Sequence, residues 1–188
     1  MKSSAASDVY KRQVKAWRRM YNIAEQLGVT AYNVFVWSPN SVSMPGTEAN
    51  AMKNYYPGDM YVDWLGVSCY PPSLSATYPE ERRYPLTLMQ GIKQVSADKP
   101  IMISEGGYSS TCDHQRWVRE WFKLKDEEPR VKAVVWENHE NAENGDRRLQ
   151  SDPLALELYK ELVQDPYWLD LIPDAVYSEI ETRKNNSK

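Results

Sequence analysis

One carboxylate in this chain is framed for chemistry. Lys99-Pro100-Ile101-Met102-Ile103-Ser104-Glu105-Gly106-Gly107-Tyr108 reads as a short buried strand whose end carries a Glu followed by two glycines. The unbroken run Ile101-Met102-Ile103 suits a strand covered on both faces in a parallel sheet. A strand-end Glu must be charged, paired or poised for chemistry, because an unpaired buried carboxylate is costly. Gly106 and Gly107 are expected to leave open space beside it and to let the backbone turn sharply. In a β/α barrel the C-terminal strand ends carry the active site, which makes Glu105 the first candidate catalytic residue. The competing reading is a Glu that only salt-bridges to an Arg.

Aromatic residues supply the second signal. The chain holds seven Trp and thirteen Tyr against two Phe. Trp and Tyr offer a flat apolar face with a polar edge, which suits a sugar ring whose C–H faces stack while its hydroxyls hydrogen-bond. Trp37, Tyr70 and Trp136 each close a predicted strand, where a substrate would lie. Trp17, Trp117 and Trp121 fall on helix faces and read as packing, while Trp64 could face either layer. Glu137 directly follows Trp136, so the pleat points it away from whatever Trp136 faces; Glu140 and His139 lie further into the loop, where solvated charge is the default reading and a subsite contact the alternative. His114, His139 and Glu140 have no recognised metal-ligand spacing, so no metal is expected. Asp59 and Asp63 follow the turn signature Pro57-Gly58 and read as structural.

The elements that must position these residues alternate. Val34–Trp37, Val62–Tyr70, the strand ending at Glu105 and Val131–Trp136 are four predicted strands, about thirty to forty residues apart, the length of a strand plus a crossover helix. Val14–Leu27 predicts a helix with Trp17, Met20, Ala24 and Leu27 on one face, stopped by Gly28. Pro85–Val95 predicts a shorter one, and Ala49–Tyr55 at most a brief turn of helix. Asp113–Lys125 places Trp117, Val118, Trp121 and Phe122 on one face, with Asp113 as N-cap. Ser151-Asp152-Pro153 opens a last helix, Leu154–Val163. This alternation argues for an α/β fold with a parallel sheet.

A full β/α barrel takes roughly 250 residues, whereas this chain has 188. Four strand–helix units account for it, so the remaining units are expected to precede residue 1. Residues 1–13 lack an apolar pattern, and Asp8-Val9-Tyr10-Lys11-Arg12-Gln13 resembles a translated sequencing-adaptor scar. The expected division is a non-native or disordered 1–13, the C-terminal half of a barrel domain over 14–173, and a tail over 174–188.

Composition narrows the partners. A formal net charge of −3 leaves no nucleic-acid footprint and no polybasic membrane patch. No apolar run approaches the roughly eighteen residues of a membrane span. No signal-peptide core is present, although a missing N-terminal half would have carried it. Cys69 and Cys112 fit no zinc pattern; a disulfide between them is possible, but two thiols are the favoured reading. No cofactor motif occurs, and none is expected.

Three segments carry a family resemblance. Asn33-Val34-Phe35-Val36-Trp37-Ser38-Pro39-Asn40, Tyr56-Pro57-Gly58-Asp59 with Tyr61-Val62-Asp63-Trp64-Leu65-Gly66, and Lys99–Glu105 resemble glycoside hydrolase family 26 in order and spacing. The family is best known for β-mannanases. The resemblance covers about residues 14–173 and implies a (β/α)8 TIM barrel, with strands five to eight present here. It also implies a retaining mechanism with two Glu residues about 5 Å apart. By that resemblance Glu105 is the nucleophile, Tyr70 its hydrogen-bond partner, Trp136 the floor under the sugar at the cleavage point, and Trp37 a wall of the cleft. The family's acid/base Glu belongs to a strand-four motif of His-Glu-Met-Asn type, which this chain lacks. The implied substrate is a β-linked plant cell-wall polysaccharide, first β-1,4-mannan, cleaved by a secreted parent enzyme. Further partners would be an oligosaccharide and the missing N-terminal half of the barrel. A non-catalytic carbohydrate-binding barrel, or a barrel hydrolase of another family acting on xylan or mixed-linkage β-glucan, stays open as an alternative.

Overall fold

Four parallel strands form the sheet, in the order β1-β2-β3-β4. They are β1 (Val36–Trp37), β2 (Trp64–Cys69), β3 (Ile101–Gly106) and β4 (Val131–Val134). The computed structural model describes residues 4–71, 84–110, 112–141 and 145–168. Each strand is a short apolar run, and consecutive strands pair as direct neighbours. Five α-helical segments accompany them: α1 (Ser4–Gln26), α2 (Pro85–Leu88), α3 (Gln90–Lys93), α4 (His114–Glu127) and α5 (Pro153–Leu162). A hairpin of β5 (Glu140–Asn141) and β6 (Gly145–Asp146) links β4 to α5.

The pleat sorts side chains between two layers. Leu65, Val67 and Cys69 of β2, with Ile101 and Ile103 of β3, are fully buried. They meet Trp117, Val118, Trp121 and Leu124 of α4 and Met89 and Ile92, all in one apolar core. Alternate positions of β2 face the other way, at Gly66 and Ser68. Gly66 is required there, because a Cβ would lie 2.6 Å from the Ser38 Cβ and 2.9 Å from Val36. The bare glycine lets Ser38 reach across β2 to Ser104, Oγ to Oγ at 2.5 Å.

Helix ends follow their capping residues. Asp113 accepts a hydrogen bond from the Arg116 N–H and starts α4. Asp152 accepts from the N–H groups of Leu154 and Ala155, with Pro153 in the first turn of α5. Asp63 accepts from the Phe35 N–H at 2.7 Å and Asp59 from the Tyr56 hydroxyl at 2.6 Å, so both act structurally.

Several predicted elements differ. α1 begins at Ser4, ten residues before the expected Val14, and takes in a stretch read as patternless. Its half-buried line is Val14, Trp17, Tyr21 and Ala24. Met20 and Leu27, expected on the packed face, are 57% and 70% exposed. The helix packs on the short turns of 3-10 helix between β1 and β2, where Trp17 Nε1 donates to the Tyr61 carbonyl. The Pro85–Val95 helix is interrupted at Met89. Ala49–Tyr55 forms 3-10 turns, Glu48–Asn50 and Met52–Tyr55. Cys69 and Cys112 are both free thiols, so there is no disulfide between them. Burial pushes the Cys112 thiol up to about 11. Among the described residues no helix is long and apolar enough to cross a membrane.

Candidate active site

The C-terminal ends of β2, β3 and β4 converge on Glu105. A register shift between Val67 and Ser68 pairs Ser68 with Glu105, and this bulge leaves Ser104 and Glu105 both usable on the same side. The Tyr70 hydroxyl, just past β2, donates to Glu105 Oε1 at 2.6 Å. The Ser68 hydroxyl reaches Oε2 at 3.4 Å. Both carboxylate oxygens therefore face a hydroxyl donor, which fixes the plane of the carboxylate. Glu105 itself is exposed, at the open end of the sheet rather than buried.

The two glycines after Glu105 work differently from expectation. A Cβ on Gly106 would lie 2.5 Å from the Trp121 ring and 2.6 Å from the Cys69 carbonyl. Gly106 thus permits close packing of β3 against α4 and β2, not open space beside the carboxylate. A Cβ on Gly107 would meet only ordinary contacts, 3.5 Å or more away.

Glu137 points away from the layer that Trp136 enters, as the alternation along the strand predicts. It is half-buried and accepts from Arg147 Nη1 at 2.6 Å. The Arg147 guanidinium also lies over the Tyr70 ring, 4.1 Å from its centre. Tyr70 is consequently flanked by two carboxylates and a cation. Burial first, then hydrogen bonding to Glu105 and Glu137, drives its hydroxyl far above the ordinary tyrosine range. At neutral pH it is a donor.

The aromatic residues divide between layers. Trp136 is half-buried and meets Tyr108, Trp121 and Tyr159 edge-on, at 5.2, 5.4 and 5.8 Å. Its indole N–H donates to the Arg147 carbonyl at 3.0 Å. The register shift between Ile101 and Met102 in the β3–β4 pairing moves the pleat by one residue. Trp136 accordingly packs toward α4 and α5 while Glu137 turns toward Tyr70. Trp37, expected to line the cleft, is only 7% exposed and meets Tyr56 edge-on at 5.1 Å. Its neighbours Val36 and Ser38 approach Gly66, so the pleat sends Trp37 to the opposite face. It borders a pocket of about 320 Å³ with Gln13, Trp17, Ser38, Pro39 and Tyr55. Trp117 and Trp121 are core residues, as expected.

The remaining charged candidates stay apart. His114 pairs with Asp152 at 3.0 Å and stacks on Tyr108, 3.9 Å between ring centres. Glu140 is exposed and pairs with Arg148. Among the described residues no group of three His, Cys, Asp or Glu could hold a metal ion. Sequence reasoning missed Ser68, although it lies two residues before Tyr70 and period two puts both on one face. It missed Arg147 as well, for which no local signal exists.

A carboxylate oriented by two hydroxyls at the C-terminal ends of parallel strands lies where β/α enzymes carry their catalytic groups. The model of Glycosyl hydrolase family 26 matches residues 1–122 of the 188, and the chain belongs to that family. The match includes Tyr70 and Glu105 and stops before β4. No curated protein sequence matches significantly. Among solved structures the chain is similar to the catalytic domain of a GH26 endo-β-1,4-mannanase from Bacillus sp. JAMB-750, with TM-score 0.58 and 18% identity over 85% of this chain and 45% of that one. It is similar to a GH26 β-mannanase from Bacteroides ovatus, with TM-score 0.56 and 20% identity over 85% and 45%. A double mutant of a Cellulomonas fimi endo-β-1,4-mannanase gives TM-score 0.53 and 17% identity over 83% and 36%. The chain therefore spans less than half the length of each of these three proteins, and the likeness concerns the fold.

Proposed function

We propose that this chain carries the nucleophile-bearing half of a retaining, endo-acting glycoside hydrolase that cleaves β-linked plant cell-wall polysaccharide, with β-1,4-mannan as its substrate. The observation that carries the reading is Glu105, held at 2.6 Å by Tyr70 at the end of β3. In a retaining reaction the Glu105 oxygen forms a bond to the anomeric carbon while the glycosidic C–O bond breaks. The departing oxygen takes a proton from a second carboxylic acid about 5 Å away, which then removes a proton from the water that hydrolyses the ester. Glu137, bridged to Arg147, is committed elsewhere and does not fill that role.

On this reading β1 to β4 are strands five to eight of the barrel, and the acid/base residue belongs to strand four, outside this chain. Met20, Ile23, Leu27 and Val34 support the assignment, since all four are exposed apolar side chains on α1 and the approach to β1. That flank is where an earlier strand and helix would pack. The chain's partners are a polysaccharide or oligosaccharide and the preceding half-barrel, and the parent acts outside the cell. Trp136, half-buried beside α4 and α5, is the proposed floor under the sugar; Trp37 rests on the family resemblance alone as a wall of the cleft, because its place in the pleat turns it to the opposite face.

A glycoside with an activated leaving group tests the nucleophile without the missing acid, because dinitrophenolate departs unprotonated. Incubation with 2,4-dinitrophenyl 2-deoxy-2-fluoro-β-mannobioside should release one equivalent of dinitrophenolate and leave the sugar esterified on Glu105, read by peptide mass spectrometry. Glu105→Gln should slow the release by about a thousandfold or more, and mannan itself should not be hydrolysed. A label on another residue, or Glu105→Gln reacting at a tenth of the wild-type rate, overturns the assignment. Mannohexaose binding without labelling would identify a carbohydrate-binding protein instead.

A further inference from the structure

The Tyr70 hydroxyl has one proton and two carboxylates to give it to. Glu105 Oε1 takes it at 2.6 Å, while Glu137 is brought beside Tyr70 by Arg147, which pairs with the one and lies over the ring of the other. If both carboxylates were equally charged, the phenol would be divided between them and Glu105 would lose its fixed plane. Arg147 makes them unequal. Its Nη1 lies 2.6 Å from Glu137 Oε2, and a carboxylate already paired with a guanidinium is a weaker acceptor for a third group.

The same side chain holds the ring. Its Cζ sits 4.1 Å from the Tyr70 centroid, a cation–π contact. Arg147 is anchored at both backbone atoms. Its N–H donates to the His139 carbonyl at 3.0 Å, and its carbonyl accepts from Trp136 Nε1. The side chain is only 8% exposed, and its Nε finds no partner among the described residues. Holding Tyr70 and Glu137 is thus the work this side chain visibly performs. From this geometry we infer that Arg147 is a positioning residue, which directs the Tyr70 hydroxyl to Glu105 by pairing with Glu137 and covering the Tyr70 ring. The inference rests on the reading of Glu105 as nucleophile.

Two measurements keep the inference apart from that reading. The first is the rate of dinitrophenolate release across pH. Arg147→Met should slow it about tenfold, the size of one well-made hydrogen bond, and should move the acid limb of the profile to higher pH. Adding Glu137→Gln should restore most of the rate, because the competing charge is gone; Arg147→Lys, charged but not planar, should fall between. The second needs no reaction: the carboxyl 13C resonance of Glu105 followed through pH in glutamate-labelled protein. The groups facing it are Tyr70 and Ser68 from β2 and its end, and Glu137 with Arg147 from beyond β4. An uncompensated Glu137 should move the titration midpoint upward by about one pH unit. A wild-type chain that is never labelled on Glu105 defeats the nucleophile reading and leaves this titration to judge the positioning. A folded Arg147→Met protein with an unmoved midpoint, or a double variant as slow as the single one, overturns the inference.

Discussion

Each end of the sheet holds a glutamate paired with an arginine, and the two pairs are built differently. At the N-terminal end, Arg130 spends its donors on Glu128 and on backbone carbonyls: Nε to Glu128 Oε1 at 2.9 Å, Nη1 to the Ser96 carbonyl at 2.6 Å and Nη2 to the Lys93 carbonyl at 3.4 Å. Lys93 adds a second cation to Glu128 at 3.1 Å. At the C-terminal end, Arg147 makes one ion pair, stacks on Tyr70 and leaves Nε unpartnered among the described residues. The first cluster ties the start of β4 to the residues before β3 and gives each guanidinium nitrogen of Arg130 a partner. The second is bound to side chains that face Glu105. In a β/α fold the N-terminal face serves stability and the C-terminal face chemistry, and the hydrogen-bond accounting of the two arginines follows that division.

The sharpest way to break the comparison is Glu128→Leu. It leaves Arg130 and Lys93, both partly exposed, without their carboxylate, and losing a hydrogen-bonded charged partner costs about 1–3 kcal/mol. Urea unfolding should show that loss, whereas Glu137→Gln should cost less, because its partner retains the stack on Tyr70. Equal losses at the two ends would erase the distinction. The pH dependence carries the same sign. Burial by itself would raise the Glu128 carboxyl, but hydrogen bonds from Arg130 and Lys93 together outweigh it and hold it below the usual carboxylate range. The unfolded chain therefore takes up this proton first as the pH falls. The pair's contribution is full above about pH 5 and is lost as the pH drops through the depressed folded value. Wild-type stability measured from pH 7 down to pH 3 should fall more steeply than that of Glu128→Leu.

Trp136 sits where the two roles meet, and its replacement sharpens the boundary. Trp136→Ala should weaken mannohexaose binding by about 1–3 kcal/mol if its face supports a sugar. It should cost less stability than Trp121→Ala, since Trp121 is fully buried. Trp37→Ala, at a nearly buried site, should affect folding rather than binding. A Trp136→Ala protein that binds normally and is merely less stable would assign the ring wholly to packing.

Much of this arrangement was legible. Each strand is a short, mostly apolar run, and α4 and α5 announce themselves through Asp113 and Asp152. Glu105 and Tyr70 were readable as strand-end residues, and the structure brings them together. The start of α1 was not, because its first turns carry no apolar period. Trp37 ends a predicted strand, but position along a strand does not say which face a side chain takes. That was decided by Gly66, which draws Val36 and Ser38 inward. The layer taken by Trp136 and Glu137 depended on one register shift beside Met102, invisible to any count of residues. Arg147 reaches Glu137 only because the β5–β6 hairpin folds the intervening residues back. Contacts made by a hairpin of this kind leave no periodic trace.

The smallest expected effect concerns the loop that carries Arg147. Asp152 caps α5 through the N–H groups of Leu154 and Ala155 and also binds the ring of His114 at 3.0 Å. The hydrogen bond from the Ala155 N–H, then that from His114, lowers its carboxyl below the usual range despite partial burial. Tyr108, stacked on His114, donates to the Arg148 carbonyl at 2.8 Å, one residue beyond Arg147. Asp152→Ala removes the cap and should cost about 1–2 kcal/mol, whereas Asp152→Asn keeps a capping oxygen and should cost less than half of that. If the loop is held mainly by the backbone anchors of Arg147, neither change should alter the rate of dinitrophenolate release. A rate that falls with Asp152→Ala while Asp152→Asn stays normal would extend the positioning network to the α5 cap. The division between a scaffolding end and a chemical end of the sheet would then run through α5 itself.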